Sequence, residues 1–499
     1  MARYLLVSPR IAVQKSDFLG SGVPYWPMEL AVFAAFLRDR GDEVTVFDLF
    51  GASPGTLEDR GDHYLQGQAL GERLGETAFT AADAVVVYAL SYMSHRELLA
   101  LCSEIRARRP EVPLAVLENS QAVTAYGLDS VAGELLASGA DLLICGEAYW
   151  NWAELRDCLM RRGAMPVPEN AISASRVAGM HRRIEKEPSY PVPAWDLFPI
   201  ANYWRLPYSH GPKTARYLPV LTSRGCPYPC DFCVVPETNN QRWRPRTPKE
   251  VVDELVALRD RFDVHDFQIE DLNPTVRGDR WRAVCEELVR REAGIRFYFV
   301  SGTKAETVKV EDVPLLARAG CRYISISPES GSPRLMKVIG KRFDHAHGLE
   351  LARACHREGI AMQACFLVGH PDETEADFEA SRAYLRDLVR AGADEVAIFV
   401  VAPLAGSTLF KRKTIPIVEQ GALVSFSPKG RLDWETVSLR RKTLIRIFFI
   451  EKLKRGGALW MQGLRALFGT PRTKMENLPR RVGYLLWRIA LHRLRGAGG

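Results

Sequence analysis

Three cysteines lie close together in the stretch 222–233. Cys226, Cys230 and Cys233 follow the spacing C-x3-C-x2-C, directly after the apolar run 217–221. A glycine and two prolines in the stretch favour a tight, irregular loop. Thiolates are the ligands that hold iron–sulfur clusters in proteins. The sequence therefore predicts a strand followed by a loop that wraps a cluster.

Three thiolates would bind three irons of a [4Fe–4S] cluster and leave the fourth iron open to a substrate or cofactor. A zinc knuckle and a set of unrelated thiols are the alternatives. Structural zinc sites take four ligands, commonly from two C-x2-C pairs, and the sequence contains no second pair of that kind. The strand-then-loop context favours the cluster.

The composition is that of a globular chain with an ample core. Of its 499 residues 47% are hydrophobic, and the length predicts two to four domains. No apolar run reaches the roughly 18 residues expected of a transmembrane helix. Residues 1–7 begin a strand pattern rather than a signal peptide, and ten cysteines in this length do not indicate a disulfide scaffold. We expect a cytoplasmic protein.

Strand and helix patterns alternate over residues 1–150. Short apolar strands are predicted at 3–8, 43–47, 84–90, 113–117 and 141–145, with helices at 28–41, 95–109 and 127–138. This alternation predicts an α/β domain with a doubly wound parallel sheet. Ligands of such sheets bind beyond the carboxyl ends of the strands. The candidate binding residues at those ends are Ser91, Ser120, Gly146 and Glu147.

A second alternation begins after residues 151–215, whose prolines predict a linker. Over 216–410 six strand–helix units predict a partial (βα)6 barrel, in which functional residues lie at the carboxyl ends of the strands. The cysteine loop follows the first strand. The other candidates at strand ends are Glu270 and Asp271 after the second, Glu329 and Ser330 after the fourth, and Gly369 after the fifth.

The carboxylates at these strand ends also have structural interpretations. Glu270 and Asp271 can occupy a solvated turn, and Glu329 can be an acid that a helix N-terminus favours. Carboxylates equally suit a ligand, because they accept hydrogen bonds from hydroxyl and amino groups. The residues alone leave both interpretations open.

The cysteine motif resembles the signature of the radical S-adenosylmethionine (radical SAM) superfamily, C-x3-C-x-aromatic-C, with Phe232 in the aromatic position. The resemblance implies a [4Fe–4S] cluster on Cys226, Cys230 and Cys233, whose open iron chelates SAM. It also implies an external electron donor and reductive cleavage of SAM to a 5′-deoxyadenosyl radical.

The later strand ends resemble segments of the same superfamily. The resemblance implies that Glu270 and Asp271 meet the SAM amino group and that Gly369 lies near the adenine. It implies that Glu329, within Glu-Ser-Gly-Ser, bonds SAM hydroxyl or amino groups. Ser327 departs from the family pattern, which has glycine at that position.

The N-terminal domain resembles the cobalamin-binding domain of class B radical SAM proteins, in the stretches 29–44 and 141–147. The resemblance implies that cobalamin binds at Ser91, Ser120, Gly146 and Glu147, without a histidine ligand. Leu-Glu-Asn-Ser at 117–120 replaces the family's Gly-Gly, and glycine would permit a closer backbone approach to a bulky ring. A vestigial flavodoxin-like domain that binds nothing is the alternative.

Residues 411–499 form a basic, helical region. The part 440–499 contains fifteen Lys or Arg against Glu451 and Glu476, so it carries +13 while the rest of the chain carries −6. Helices are predicted at 437–454, 456–467 and 478–494. Basic amphipathic helices with Trp and Phe fit peripheral contact with a membrane surface. They equally fit a subdomain that caps the barrel mouth, and we expect no nucleic acid.

These resemblances imply a class B radical SAM enzyme of the magnesium-protoporphyrin ester cyclase or cobalamin-dependent methyltransferase type. The expected reaction is methylation of an unactivated carbon in a small-molecule or lipid substrate, through a 5′-deoxyadenosyl radical and methylcobalamin. Oxidative cyclisation or rearrangement without methyl transfer is the alternative within the superfamily. A non-catalytic cobalamin or redox sensor is the alternative outside enzymes. A methylthiotransferase fits less well, since no second cysteine trio occurs near the N-terminus.

Overall fold

The computed structural model describes residues 1–15, 17, 18, 20–122, 124–182, 190–415 and 430–496. The strands of the N-terminal part are β1 (Arg3–Ser8), β2 (Ile11–Gln14), β3 (Glu43–Asp48), β4 (Leu57–Asp59), β5 (His63–Gln66), β6 (Ala84–Ala89), β7 (Leu114–Glu118), β8 (Leu142–Ile144) and β9 (Ala171–Ile172). The helices of this part are α1 (Met28–Asp39), α2 (Leu49–Ala52), α3 (Thr77–Thr80), α4 (His95–Arg108), α5 (Ala132–Ala137), α6 (Trp152–Met160) and α7 (Ile200–Arg205).

The N-terminal sheet has the order β3-β1-β6-β7-β8-β9. Its first five strands are parallel and β9 is antiparallel to β8. Every residue of β6 and β7 is buried, as a sheet covered on both faces requires. The predicted doubly wound sheet is confirmed. A small antiparallel sheet, β2-β5-β4, lies beside it and was not predicted, because its strands are only three or four residues long.

The second part begins with the strand before the cysteine loop. Its strands are β10 (Tyr217–Val220), β11 (Ser223–Arg224), β12 (Arg244–Pro245), β13 (Asp266–Ile269), β14 (Arg296–Thr303), β15 (Cys321–Glu329), β16 (Ala361–Val368) and β17 (Glu395–Val400). Its helices are α8 (Val235–Thr238), α9 (Pro248–Phe262), α10 (Gly278–Arg290), α11 (Val313–Ala319), α12 (Pro333–Ile339), α13 (His345–Arg357), α14 (Glu375–Ala391) and α15 (Thr408–Arg412). Three more helices follow: α16 (Trp434–Lys454), α17 (Ala458–Phe468) and α18 (Leu478–Gly496).

The second sheet has the order β10-β13-β14-β15-β16-β17, with every neighbouring pair parallel. Strands in chain order, joined by helices, curve into a barrel wall. Because β10 and β17 are its two edges, the barrel is open, and the predicted partial (βα)6 barrel is confirmed. The carboxyl ends of its strands face the N-terminal domain.

The C-terminal helices close the space between the two sheets. Leu444 and Phe448 of α16 are buried in the core shared with the barrel. Leu485 and Ile489 of α18 pack against the small antiparallel sheet of the N-terminal part. The region therefore caps the barrel mouth, which is one of the two arrangements considered from the sequence.

Asp48, at the end of β3, is a buried carboxyl that caps α2. It accepts hydrogen bonds from the Gly51 backbone N–H at 2.9 Å and from the Tyr203 hydroxyl at 2.8 Å. Burial nevertheless raises its pKa to about 6, because the charged form loses its hydration. The native state thus binds more protons than the unfolded state between about pH 4 and pH 6.

We expect this carboxyl to lower the free energy of unfolding as pH rises from about 4 to about 6. The effect should reach about 3 kcal/mol, at 1.36 kcal/mol per pKa unit. Asp48→Asn should remove it, so the variant should gain stability relative to the wild type over this interval. Urea unfolding of both proteins at pH 4, 5, 6 and 7 measures the difference. A pH-independent difference would contradict the assignment.

Candidate active site between the two sheets

One cavity of about 530 Å³ lies between the carboxyl ends of the two sheets and the C-terminal helices. Its size is that of a ligand site. The cysteine loop lines one wall, with strands β14 to β17 beside it. Ser91, Tyr92, Met93 and Thr124 line the wall given by the N-terminal domain.

All three motif cysteines line the cavity, with Phe232 between them. Asp231, the residue before Phe232, fixes the loop through three contacts. The Asp231 N–H donates to the Ile339 carbonyl at 3.0 Å, and the Asp231 carbonyl accepts from the Leu409 N–H at 2.9 Å. The carboxylate of Asp231 lies 3.1 Å from His370 Nε2. The loop is therefore fixed by the end of α12, the start of α15 and the turn after β16.

Gly225 makes the tight entry into this loop. Its φ is +75°, and a Cβ atom there would lie 2.0 Å from the Arg242 carbonyl oxygen. Only glycine combines this backbone conformation with so close a backbone contact.

We expect Gly225→Ala to destabilise the chain by more than the roughly 1 kcal/mol of a left-handed backbone penalty and to lower iron incorporation. The matched control is Gly61→Ala, because Gly61 has φ +84° and no atom within 4 Å of the position that a Cβ would take. Denaturant unfolding and iron content of both variants check this. Equal losses in the two would refute the close-contact argument.

The surroundings of the cysteines disfavour free thiolates. Burial raises the pKa of Cys226, Cys230 and Cys233, that of Cys230 to about 12. Thiolates in this place thus need strong positive charge, which cluster irons supply. In the described part of the chain no three His, Cys, Asp or Glu side chains form a group that could hold a metal ion. An iron–sulfur cluster does not need three side chains around a single metal ion, since each thiolate binds a different iron.

Asp271 is buried and clamps the start of the loop. It accepts hydrogen bonds from the Thr222 N–H at 2.6 Å, the Thr222 hydroxyl at 2.7 Å and the Ser223 hydroxyl at 2.5 Å. It does not line the cavity. The structure thus places Asp271 behind the loop, where it holds the backbone before Cys226.

Glu270 lies beside the cavity and supports a residue that sequence reasoning missed. Its Oε2 is 2.8 Å from Nδ1 of His210, and the two carboxylate oxygens bracket that nitrogen. His210 itself lines the cavity, whereas Glu270 lines a small adjoining space. A carboxylate on one imidazole nitrogen fixes the tautomer and leaves the other nitrogen for proton exchange.

Glu329 lines the cavity at the end of β15 and pairs with Lys341, whose Nζ is 2.6 Å from Oε1. Its φ of +58° is uncommon for a residue with a side chain and recurs at functional sites. Ser330 instead bonds Ser381, with 2.9 Å between the hydroxyl oxygens. Gly369 packs against Val437 of α16. Of the predicted residues at these two turns, the structure brings Glu329 to the cavity.

The N-terminal candidates divide in the same way. Ser91 lines the cavity. The Ser120 carbonyl accepts from the Asn239 amide at 2.6 Å, and the Gly146 N–H donates to Glu118 Oε2 at 2.6 Å. Ser120 and Gly146 thus contribute to the packing behind the cavity wall.

Glu147 joins the two domains through a buried ion pair. Arg244 donates to both its oxygens, at 2.7 and 2.8 Å, and their side chains are 2% and 1% exposed. Arg224, two residues before Cys226, pairs with Glu29 of α1 at 2.5 Å. These pairs fix the cysteine loop against the N-terminal sheet.

Sequence reasoning missed five cavity residues, because their neighbours come from distant parts of the chain. His210 lies in the predicted linker, Lys341 in a loop after α12, and Thr124 in a loop after β7. Lys474 and Arg481 lie in the C-terminal region, for which the sequence predicted helices and a basic charge but no individual site residues. No local pattern marks any of them.

The comparisons with known proteins agree with this site. The model of the radical SAM superfamily matches residues 220–385, which span the cysteine loop and the strands to β16. This part of the chain is a radical SAM domain. A radical SAM domain binds a [4Fe–4S] cluster and SAM, and the three predicted cluster cysteines lie within the matched residues.

Similar proteins extend the likeness beyond this domain. Cytidylyl-2-hydroxyethylphosphonate methyltransferase of Streptomyces wedmorensis is 29% identical over 44% of this chain and 42% of its own length. Anaerobic magnesium-protoporphyrin IX monomethyl ester cyclase of Rubrivivax gelatinosus is 26% identical over 45% and 41%. The chain thus matches less than half the length of either relative.

A solved structure shares the fold of both domains. The radical SAM methyltransferase TsrM from Kitasatospora setae, with cobalamin and a [4Fe–4S] cluster bound, has a TM-score of 0.59 and 18% identity, over 82% of this chain and 77% of its own. The chain therefore contains a radical SAM domain and has the fold of a radical SAM methyltransferase whose structure contains cobalamin.

Proposed function

We propose that this protein is a cobalamin-dependent radical SAM enzyme that methylates an unactivated carbon of a small molecule or lipid. One observation carries the proposal: a single cavity joins the three cluster cysteines to the strand ends of the N-terminal sheet. A group bound at either wall would face a group bound at the other.

Buried polar atoms on both walls support the fit of two cofactors. On the barrel wall the Asn273 Oδ1 atom is buried with no hydrogen-bond partner among the described residues, and on the opposite wall the same holds for Thr124 Oγ1. A buried polar atom without a partner costs free energy, so each favours a ligand. Asn273 would contact SAM, and Thr124, Ser91 and Tyr92 would contact cobalamin. When bound, the two groups would supply the radical and the methyl group.

The residues of the chain itself would position and shield the reactants. Lys341, held by Glu329, would place positive charge beside the cysteines. His210, with Nδ1 bonded to Glu270, would exchange a proton through Nε2. Val396, Ile398 and Val400 of β17 would exclude water from the reacting carbon.

Anaerobic reconstitution with iron, sulfide and cobalamin tests the proposal, followed by SAM and a strong reductant. The proposal predicts bound cobalt together with both 5′-deoxyadenosine and S-adenosylhomocysteine. A cluster with 5′-deoxyadenosine but neither cobalt nor S-adenosylhomocysteine would replace it with cyclisation or rearrangement, as the similarity to the ester cyclase allows. A stable cluster with neither product would favour the sensor alternative.

We also propose that the protein contacts an anionic membrane surface peripherally. The contacted face of the membrane would border a reducing compartment, in which the cluster is stable. Among the described residues, none of the helices combines the length and apolarity that a membrane span requires. Yet large side chains on the outer face of α17 are exposed: Trp460 by 77%, Leu464 by 53% and Phe468 by 84%. Lys454, Arg455, Arg465 and Arg472 lie near them in the sequence, and basic residues of this kind fit anionic headgroups.

Sedimentation with phosphatidylglycerol vesicles tests this contact. The triple change Trp460→Ser, Leu464→Ser, Phe468→Ser should abolish co-sedimentation without opening the cavity, because none of these residues lines it. A control triple change on the exposed, basic side of α16 should weaken binding in a salt-dependent way only. Unchanged binding by the α17 variant would contradict the proposal, as would equal binding to neutral phosphatidylcholine vesicles.

A further inference from the structure

The C-terminal region lines the cavity with both charged and apolar side chains. On α16 these are Arg441, Ile445, Phe448 and Phe449, and in and just before the first turn of α18 they are Lys474, Met475, Asn477, Leu478 and Arg481. This wall lies away from the cysteine loop in the chain and belongs to neither cofactor motif.

Hydrogen bonds anchor this wall to the barrel. The Asn477 side-chain amide donates to the Gly211 carbonyl at 2.8 Å and its oxygen accepts from the Lys213 N–H at 3.2 Å. The Met475 N–H donates to Glu395 Oε2 at 2.6 Å. The segment from Lys474 to Arg481 is therefore held in place before any ligand arrives, as specific recognition requires.

Positive charge exceeds negative charge on this side of the cavity. The two carboxylates that line the cavity are both engaged elsewhere: Glu329 with Lys341 at 2.6 Å, and Glu395 with the Gln363 amide at 2.9 Å, the Tyr323 hydroxyl and the Met475 N–H. The charge of Asp17 acts on Arg441 and Arg481, and the charges of Glu395 and Glu270 act on Lys474. Among the described residues that line this side of the cavity, the cations Arg441, Lys474 and Arg481 outnumber the carboxylate Glu395.

The two cations next to α18 sit where a charge is costly. Arg481 is 5% exposed, and the Lys474 ammonium donates to the Val300 carbonyl at 2.6 Å, a partner that carries no net charge. Burial lowers the pKa of both groups. An anion that entered the cavity beside these two cations would interact with them in a place where water contributes little.

Most of the other side chains on this wall are apolar. Ile445 and Phe448 of α16 line the cavity together with Ile398 and Val400 of β17. A ligand that touches these residues gains free energy by burying hydrocarbon or aromatic surface. The site therefore matches a molecule with an apolar body and an acidic group at one end.

We propose that the substrate is such an apolar acid, with a carboxylate or phosphate held by Lys474 and Arg481 and its reactive carbon directed toward the cysteine loop. This inference rests on the proposed function and specifies its substrate class. It assigns Lys474 and Arg481 as residues that determine specificity and position the substrate.

Binding of 1-pyrenebutyrate and of its neutral analogue 1-pyrenebutanol tests the inference. The protein is the full chain, reconstituted with cluster, cobalamin and SAM, and pyrene fluorescence reports binding. We expect the acid to bind at least tenfold more tightly than the alcohol. Lys474→Met and Arg481→Met should each weaken the acid at least tenfold and leave the alcohol within about twofold, at the level of one charge-assisted hydrogen bond.

Arg446→Met is the matched control, because Arg446 is an exposed cation of α16 that does not line the cavity. It should leave both affinities unchanged. If Lys474→Met and Arg481→Met keep their alcohol binding and iron content, their weaker binding of the acid is a specific effect and not a result of misfolding. Competition with decanoate and with decyl phosphate shows which acidic group the site prefers, and displacement by either supports the inference.

Equal affinity of the wild type for acid and alcohol would overturn the inference, because SAM, cobalamin or Asp17 would then satisfy the cations. A preference for the acid that survives both substitutions would also overturn it. Formation of 5′-deoxyadenosine by the same wild-type sample separates a failure of the proposed reaction from a failure of the anion site. Acid preference without 5′-deoxyadenosine would reject the proposed reaction and keep the anion site. Formation of 5′-deoxyadenosine without acid preference would keep the reaction and reject the anion site.

Discussion

Cys230→Ala is expected to abolish the cluster and, with it, formation of 5′-deoxyadenosine from SAM. Each of the three thiolates would bind one iron, and loss of one leaves a cluster with two protein ligands in a cavity that water reaches. Iron content after anaerobic reconstitution should fall from about four per chain to near background. Visible absorption and 5′-deoxyadenosine assays should fall with it.

Cys285→Ala is the matched control for this experiment. Cys285 lies on the buried face of α10 and does not line the cavity, so its removal should leave iron content and SAM cleavage unchanged. A Cys230→Ala protein that keeps a full cluster would show that the ligands lie elsewhere.

Arg244→Gln is expected to destabilise the chain by about 3–5 kcal/mol, the cost of leaving a buried charge without its partner. Among the described residues, Glu147 would keep Arg224 as its cationic partner, whose Nη1 lies 3.6 Å away, and the hydrogen bonds from Tyr190 and Trp150. The pair joins the cysteine loop region to the N-terminal sheet, so the variant should also bind less cobalamin. Urea unfolding and cobalt content measure the two effects.

Arg277→Gln provides the comparison, since it breaks an ion pair whose two side chains are both 65% exposed. An exposed pair contributes at most about 1 kcal/mol, and its loss should not affect cobalt. Equal destabilisation by the two changes would mean that burial of the interdomain pair has no energetic consequence.

The sequence predicted what depends on local spacing. The three motif cysteines lie within one loop, so their spacing could be recognised before any fold was known. The strand–helix alternation predicted both sheets, and Thr247 and Pro248 marked the start of α9, where a capping box with Glu250 is found. Each of these features is complete within a few consecutive residues.

What the sequence could not supply was the partner of each strand-end residue. Glu147 meets a residue 97 positions away, and Asp271 meets hydroxyls 48 and 49 positions away. The local sequence pattern of a carboxylate at a strand end is the same whether the side chain faces the cavity or an arginine behind it. The packing of the basic C-terminal region was equally hidden from the sequence. Periodicity predicted its helices, but only the folded structure shows that Leu444 is buried.

The central claim is that both cofactors share the cavity between the two sheets. The most direct test is the iron and cobalt content of the reconstituted wild type and of Thr124→Trp, which fills the N-terminal wall. The account predicts about four irons and one cobalt per chain in the wild type. In the variant it predicts unchanged iron and no cobalt. A wild type without cobalt, or a variant that keeps it, would contradict the account.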